Sequence, residues 1–229
     1  ALLGGGITPR PGEISMAHKG VLFLDELAEF PRSVLEVLRQ PLEERKVHIA
    51  RNHGSFVYPA EFMLVAAMNP CPCGNYPDMQ KCSCTPRQIE QYLGKISQPF
   101  LDRMDLCIET PRVQYQELEA TKKEETSEVI RKRVSIARDI QKERYKTGKA
   151  DTNAMLGPRE IATYVRLGKE EKELMEQAFE RLGLTARTYH KILRVARTIA
   201  DLEQSTEVKS IHLKEAIGYR SLDKKYWGR

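Results

Sequence analysis

The chain has 229 residues, of which 41% are hydrophobic and 30% are charged. This composition is typical of a soluble globular protein and excludes a disordered or collagen-like one. No apolar run approaches the ~18 residues of a membrane span, and no signal peptide is visible at the beginning of the sequence. The formal net charge of +5 permits a polyanionic partner such as nucleic acid or a nucleotide, although it does not require one.

The two halves of the sequence have different patterns. Residues 1–110 alternate glycine- and proline-rich turns with short apolar runs at Val21–Leu24, Phe62–Met68 and Leu106–Ile108. Such short, continuously apolar runs are typical of strands that are covered on both faces in a parallel sheet. Residues 111–229 show helical patterns only. We therefore expect an α/β domain over 1–110, followed by an all-helical domain over 111–229.

Two further elements lie between the first two apolar runs. Ser33–Arg45 carries apolar residues at mostly helical spacing, and Pro41 should bend or end that helix. Val47–Tyr58 alternates on either side of Asn52-His53-Gly54, a pattern that predicts a β-hairpin.

The second half predicts a series of helices with apolar stripes at helical spacing. Thr185 is expected to cap one of them, and proline after Gly157 suits a first helical position. The predicted helices lie at Glu125–Tyr145, from Gly157-Pro158 onward, at Lys169–Arg181, at Thr185–Gln204 and at Ser210–Tyr219.

Polar residues follow two of the apolar runs directly: Asp25 and Glu26 follow the first, and Asn69 follows the second. Ligands of open parallel sheets bind beyond the carboxyl ends of the strands, where these residues should lie. In a nucleotide triphosphatase, one carboxylate holds Mg²⁺ on the phosphates and the next activates the attacking water. The alternative is that Asp25 caps the following turn and Glu26 is merely solvated.

Longer strings in the sequence resemble a known family. Gly20-Val-Leu-Phe-Leu-Asp-Glu26 looks like a Walker B motif, and the residues before it, from Pro9 to Gly20, resemble the magnesium chelatase-like branch of the AAA+ ATPases. The same branch is matched by the strings at Met68–Gly74, Phe100–Leu106 and Ala196–Leu202. The similarity covers essentially the whole chain, and it implies the C-terminal portion of an AAA+ parallel-sheet core followed by a helical lid.

The resemblance implies a role for each matching position. Asp25 would hold Mg²⁺, Glu26 would act as the catalytic base, and Asn69 matches sensor 1. Arg103 matches the arginine finger, which acts on the ATP of a neighbouring subunit, and Arg187 matches sensor 2. Phosphoryl transfer is catalysed largely by positioning and by cations placed on developing charge, so these residue types suit the chemistry.

The function implied is ATP hydrolysis in a hexameric ring, coupled to the remodelling of branched DNA in recombination or natural transformation. Two alternatives stay open. One is the ATPase subunit of a metal chelatase, and the other is a zinc-stabilised interaction module without catalysis.

One expected motif is missing from the sequence. Nowhere does it contain Gly-x-x-x-x-Gly-Lys-Ser/Thr, the Walker A loop whose backbone cradles the phosphates of a nucleotide. The chain also begins with Ala1 rather than Met. We therefore expect a C-terminal fragment that does not bind or hydrolyse ATP by itself.

Four of the five cysteines are close in sequence, at Cys71, Cys73, Cys82 and Cys84. Two such pairs of thiolates can hold Zn²⁺ in a closed, structural site. Four reduced thiols, or one or two disulfides, are the alternatives. A single local cluster of this kind indicates a cytoplasmic protein rather than a secreted disulfide scaffold.

The predicted hairpin tip carries Arg51 and His53. In helicase-like relatives a hairpin just before sensor 1 points into the pore of the ring, which implies a DNA contact for these two residues. A solvated hairpin tip is the equally weighted alternative.

Overall fold

A computed structural model describes residues 2–6, 10–51, 54–111, 115, 125–148 and 150–228, with the side chains of Arg51 and of residues 221–224 excepted. Its contacts divide the chain into two compact units, Ala1–Met104 with Tyr226–Arg229 and Asp105–Lys225. The predicted domain limits of 1–110 and 111–229 stay a prediction, because contacts within one chain do not establish which part folds alone.

The described residues of the first unit contain three pairs of strands. Strand β3 (Val21–Leu24) pairs in parallel with β6 (Met63–Ala66), and the register runs from Val21↔Met63 to Leu24↔Ala66. The hairpin predicted around residue 53 is confirmed: β4 (Lys46–Arg51) pairs antiparallel with β5 (Gly54–Pro59). A short antiparallel pair, β1 (Gly4–Gly5) with β2 (Arg10–Pro11), precedes them.

One face of the β3–β6 pair is exposed in the described residues. Val21, Phe23 and Met63 are 58%, 59% and 63% exposed, whereas Leu24 is buried against the core of the unit. The prediction of strands covered on both faces is therefore wrong for this part of the chain. Side chains alternate along a strand, so a single packing layer covers every second residue only.

The third apolar run does not form a strand. Leu106–Ile108 has irregular backbone, and the Cys107 amide donates a hydrogen bond to the Tyr219 carbonyl at 3.1 Å. The predicted strand at this position is therefore wrong.

Short helices complete the first unit: α1 (Glu13–Met16), α2 (Arg32–Val37), α3 (Arg39–Glu44), α4 (Pro86–Leu93) and α5 (Gln98–Leu101), with a 3₁₀ turn at Leu27–Glu29. The break between α2 and α3 falls at Leu38, close to the predicted effect of Pro41. Proline has no N–H to bond the carbonyl four residues earlier, and its ring clashes with that carbonyl. Here that carbonyl belongs to Val37, the last residue of α2.

The second unit is helical in its described residues, which confirms the predicted fold class of a parallel-sheet core portion followed by a helical part. Its helices are α6 (Ser127–Tyr145), α7 (Pro158–Tyr164), α8 (Lys169–Leu182), α9 (Ala186–Leu202) and α10 (Ser210–Trp227), the last of which belongs to this unit up to Lys225. Thr185 caps α9 as predicted, since its hydroxyl accepts a hydrogen bond from the Thr188 amide at 3.2 Å. The core contains Leu156, Ile192 and Leu213.

A buried ionic network joins three parts of this helical unit. The Asp201 carboxylate is fully buried, and it accepts hydrogen bonds from Arg144 at 2.9 Å and from the Asn153 amide at 2.8 Å. Arg197 donates to the same carboxylate at 3.2 Å and also to the Thr206 carbonyl at 3.0 Å. Buried charges persist only when they are paired in this manner.

Candidate functional site

The acidic pair lies where the parallel strands end. Beyond β3 and β6, Ala67 donates to the Leu24 carbonyl, and Leu27 donates to the Ala67 carbonyl, both at 2.9 Å. The chain therefore leaves the sheet and returns to it within three residues, with Asp25 and Glu26 forming the corner between these two bonds. Neither side chain is covered, because both residues are exposed.

The backbone at this corner has an unusual conformation. Glu26 lies in the left-handed region, with φ 49° and ψ 46°, and its amide donates to Asp25 Oδ1 at 2.8 Å. A side chain other than glycine rarely adopts this region, and such residues cluster at functional sites. The hydrogen bond fixes the Asp25 carboxylate at the strand end, and the turn presents the Glu26 carboxylate to solvent.

Asn69 lies at the same edge of the sheet. It follows the last residue of β6, Ala66, by three positions and is exposed. Because β3 and β6 run in parallel and end in register, the residues that follow both strands emerge on one side of the sheet. The structure thus brings Asn69 to the edge that carries Asp25 and Glu26.

Arg103 is held by its own unit. Its guanidinium donates to the Arg39 carbonyl at 3.1 Å, to the Pro99 carbonyl at 2.6 Å and to the Glu43 carboxylate at 2.6 Å. Its side chain is only 13% exposed. A contact between this guanidinium and the nucleotide of another subunit would require it to exchange at least part of these bonds.

Arg187 belongs to the second unit, where it lies exposed in the first turn of α9. The Arg51 side chain and the whole of His53, the two residues predicted to contact DNA, lie outside the described residues.

The four clustered cysteines converge in space. Their sulfur atoms all lie within 4.8 Å of one another, and the Cys71–Cys73, Cys71–Cys82 and Cys73–Cys82 pairs are separated by 3.5, 3.8 and 3.6 Å. Every one of them is a free thiol. In a tetrahedral zinc site with bonds of about 2.3 Å, neighbouring sulfur atoms lie about 3.8 Å apart. This group therefore has dimensions that are compatible with a bound Zn²⁺.

Backbone amides surround the sulfur atoms. The Tyr76 amide donates to Cys71 Sγ at 3.4 Å. The hydrogen bond from the Asn75 amide lowers the pKa of Cys73 to about 5, whereas desolvation raises the pKa of Cys84 to about 12. The two thiols therefore differ in how readily each loses its proton. A divalent metal ion would stabilise the thiolate forms.

Sequence reasoning missed the helix that packs on this group. Ile89, Tyr92 and Leu93 of α4 form one buried cluster with Cys71. A signal was present in the sequence: Thr85 and Gln88 form a capping box, in which each side chain accepts a hydrogen bond from the other residue's amide, at 3.3 and 2.8 Å. The Ser/Thr-x-x-Glu/Gln pattern marks a helix start.

Comparison with known families identifies the chain. The family model described as magnesium chelatase, subunit ChlI, matches residues 1–118, and the model described as magnesium chelatase, subunit ChlI C-terminal, matches residues 124–220. The chain belongs to the magnesium chelatase family. Members of this family have the AAA+ fold and are related to ATPases, so ATP and Mg²⁺ are the cofactors that the family implies in general.

Curated relatives resemble nearly the whole chain. Competence protein ComM of Haemophilus influenzae is 48% identical over 223 residues, which cover 97% of this chain and 43% of the relative. The YifB proteins of Salmonella typhimurium and Escherichia coli are each 44% identical over 225 residues, which cover 98% of this chain and 44% of the relatives. The chain thus spans less than half the length of these relatives.

Within the parts of the chain that the structure describes, no helix could span a membrane. Each of them is too short or too polar to cross a bilayer.

Proposed function

We propose that this chain contributes catalytic and lid residues to an AAA+ motor that couples ATP hydrolysis to DNA remodelling in recombination or natural transformation. One observation carries the proposal. In a member of this family, two exposed carboxylates and the exposed Asn69 lie at one edge of a parallel strand pair, where such sheets bind ligands.

The residues at this edge suit a magnesium nucleotide. Asp25 offers an exposed carboxylate oxygen, the ligand type that Mg²⁺ prefers. When bound, the ion would neutralise charge on the phosphates. Glu26 would accept a proton from the attacking water, and the Asn69 amide would orient that water or contact the γ-phosphate.

Arg103 and Arg187 would add positive charge to the transition state. In a hexameric ring, Arg103 would leave the Glu43 carboxylate, 2.6 Å away, and act on the ATP of a neighbouring subunit. Arg187, exposed near the start of α9, would act from the lid. The ion pair with Glu43 would therefore keep the Arg103 side chain bound within its own subunit until the neighbouring subunit binds ATP.

The DNA substrate is supported by the similarity to a competence protein and by the basic hairpin tip with Arg51 and His53. A second candidate is the ATPase subunit of a metal chelatase, which the description of both family models favours.

The four cysteines Cys71, Cys73, Cys82 and Cys84, here called the tetrathiolate group, are proposed to bind one structural Zn²⁺ as thiolates. The absence of disulfides among them agrees with a cytoplasmic location. If hydrolysis is absent in the full-length protein, this group would favour the third candidate, a zinc-stabilised interaction module.

Steady-state ATP hydrolysis by the full-length protein tests the choice between DNA and a chelatase partner. We expect a four-way DNA junction to stimulate hydrolysis more than a linear duplex of equal length and composition. Stimulation by a metal chelatase partner subunit alone, with no response to either DNA, would reject the DNA substrate. Absence of hydrolysis under every condition would reject the motor.

A further inference from the structure

Asn69 is joined to the tetrathiolate group by a short, tightly packed segment. A single residue, Pro70, separates it from Cys71, which is fully buried. Cys71 is therefore a buried anchor two positions after an exposed polar residue of the candidate site. A displacement of the Cys71 sulfur would be transmitted to Asn69 through only two peptide bonds.

The turn from Cys71 to Gly74 also lies beside Asn69. Gly74 adopts φ 74°, and its amide donates to the Cys71 carbonyl at 3.0 Å, so the chain folds back beside Cys71. A Cβ atom placed on Gly74 would lie 3.9 Å from both Cγ and Oδ1 of Asn69. The turn at Gly74 thus lies beside the side chain of Asn69, close enough for an alanine methyl group to touch it. The position of this turn depends on where the thiols hold it.

The thiol group also packs behind the acidic corner. Ala28, in the 3₁₀ turn that follows Glu26, is fully buried and belongs to the same cluster as Cys71 and Tyr92. Glu26 and Asn69 therefore extend from the same packed cluster, one from each of two chain segments. Their separation depends on how firmly that cluster is held.

We propose that the zinc-thiolate group positions Asn69 relative to Glu26, so that metal occupancy controls ATP hydrolysis; this rests on the function proposed above. Cys71 and Gly74 are the positioning residues, and neither touches the nucleotide. Without metal, the sulfur atoms are held only by weak thiol–thiol contacts, with sulfur–sulfur distances of 3.5–3.8 Å. Four zinc–sulfur bonds of about 2.3 Å would hold the same sulfur atoms firmly and fix the turn that supports Asn69. Misplacing a catalytic group by about 1 Å can reduce a rate about 10²-fold.

The first test observes Asn69 without any activity assay. In ¹⁵N-labelled chain, the side-chain amide signals of Asn69 should shift or broaden when Zn²⁺ is removed with a chelator. The zinc-loaded Gly74→Ala protein should show the same change. The Asn153 amide, which bonds Asp201 at 2.8 Å in the helical unit, is the internal reference and should not move. Unchanged Asn69 signals in both samples would overturn the positioning role.

The second test is a double-mutant cycle on ATP hydrolysis by the full-length protein. Asn69→Ala and Gly74→Ala should each lower kcat on the order of 10²-fold with little change in KM. The double variant should be no slower than Asn69→Ala, because Gly74 acts only through Asn69. Two reductions that multiply would reject the proposal.

Gly183→Ala is the matched control for backbone strain. Gly183 also has positive φ, 57°, but a Cβ there would meet nothing within 4 Å. It should leave kcat unchanged, and a loss equal to that of Gly74→Ala would reject the specific contact. If the full-length protein hydrolyses no ATP at all, the proposed function fails, whereas the Asn69 signals still decide whether the thiol group positions this residue.

Discussion

Glu26 combines an exposed carboxylate with a strained backbone. Its φ of 49° is one of four positive values among non-glycine residues in the described parts of the chain. Holding such a residue in the left-handed region costs roughly 1–3 kcal/mol, and the surrounding structure must offset that cost. The flanking bonds of Leu24 and Leu27 to Ala67 supply the constraint.

Glu26→Gln tests the proposed base. In the full-length protein, this variant should still bind ATP but hydrolyse it ~10²-fold or more slowly, because an amide cannot accept the proton of water. Glu29→Gln is the control, since Glu29 is 60% exposed and pairs with Lys95 at 3.5 Å. Nucleotide binding and the rate of ATP hydrolysis are measured for both variants. If both hydrolyse ATP at the wild-type rate, Glu26 is not the catalytic base.

Asp201→Ala tests the buried ionic network. The variant leaves Arg144 and Arg197 without their shared carboxylate, and breaking a buried pair in this way destabilises by roughly 3–5 kcal/mol. Asp139→Ala removes a carboxylate that is 71% exposed and pairs with Lys142 at 3.3 Å, so it should change stability by less than about 1 kcal/mol. Urea unfolding of both variants makes the comparison. Equal losses would show that the network contributes no special stability.

The loop between β6 and α4, which carries the tetrathiolate group, depends more than the other elements on a bound metal ion for its stability. Gly74 makes the turn, and a capping box starts the helix that packs beside the thiols. The loop itself has no strand or helix between β6 and α4. A metal ion would supply the cross-links that regular structure does not.

Purified protein should accordingly contain close to one Zn²⁺ per chain. Chelation should lower the unfolding midpoint, and Cys82→Ser should do the same without added chelator, because it removes one of the four ligands. Cys107→Ser is the control, since Cys107 lies outside the group. A metal-free protein with four titratable thiols and an unchanged unfolding midpoint would contradict a structural zinc site.

Local signals predicted most elements well. The hairpin, the Thr185 cap and the interruption of the helix near Pro41 all followed from residues next to one another in the chain. The missing third strand shows the opposite case. An apolar run such as Leu106–Ile108 becomes a strand only when a partner edge supplies its hydrogen bonds, and that requirement is tertiary.

On the scale of the whole chain, the formal net charge of +5 suits the proposed DNA partner, and the salt dependence of binding tests it. Binding that neutralises phosphates with Lys and Arg releases counterions, so the apparent affinity of the full-length protein for a DNA junction should fall steeply with salt. Arg51→Ala should reduce the slope of log affinity against log salt by about one if this residue contacts a phosphate.

Fluorescence anisotropy at several salt concentrations measures that slope. Arg159→Ala, on the second unit, provides a comparison that removes the same charge from an exposed helix residue. An Arg51→Ala slope equal to wild type would exclude a phosphate contact by the hairpin tip.

The sequence by itself determined the family, the order of most elements and the residue types that follow the apolar runs, because motifs and periodicity are local properties of the chain. Tertiary structure alone decided that one face of the β3–β6 pair is exposed, that Arg103 is held by Glu43, and that four sulfur atoms converge beside Asn69. These features depend on contacts between residues that are distant in sequence. Such contacts follow from packing and distance, which no local pattern of residues specifies.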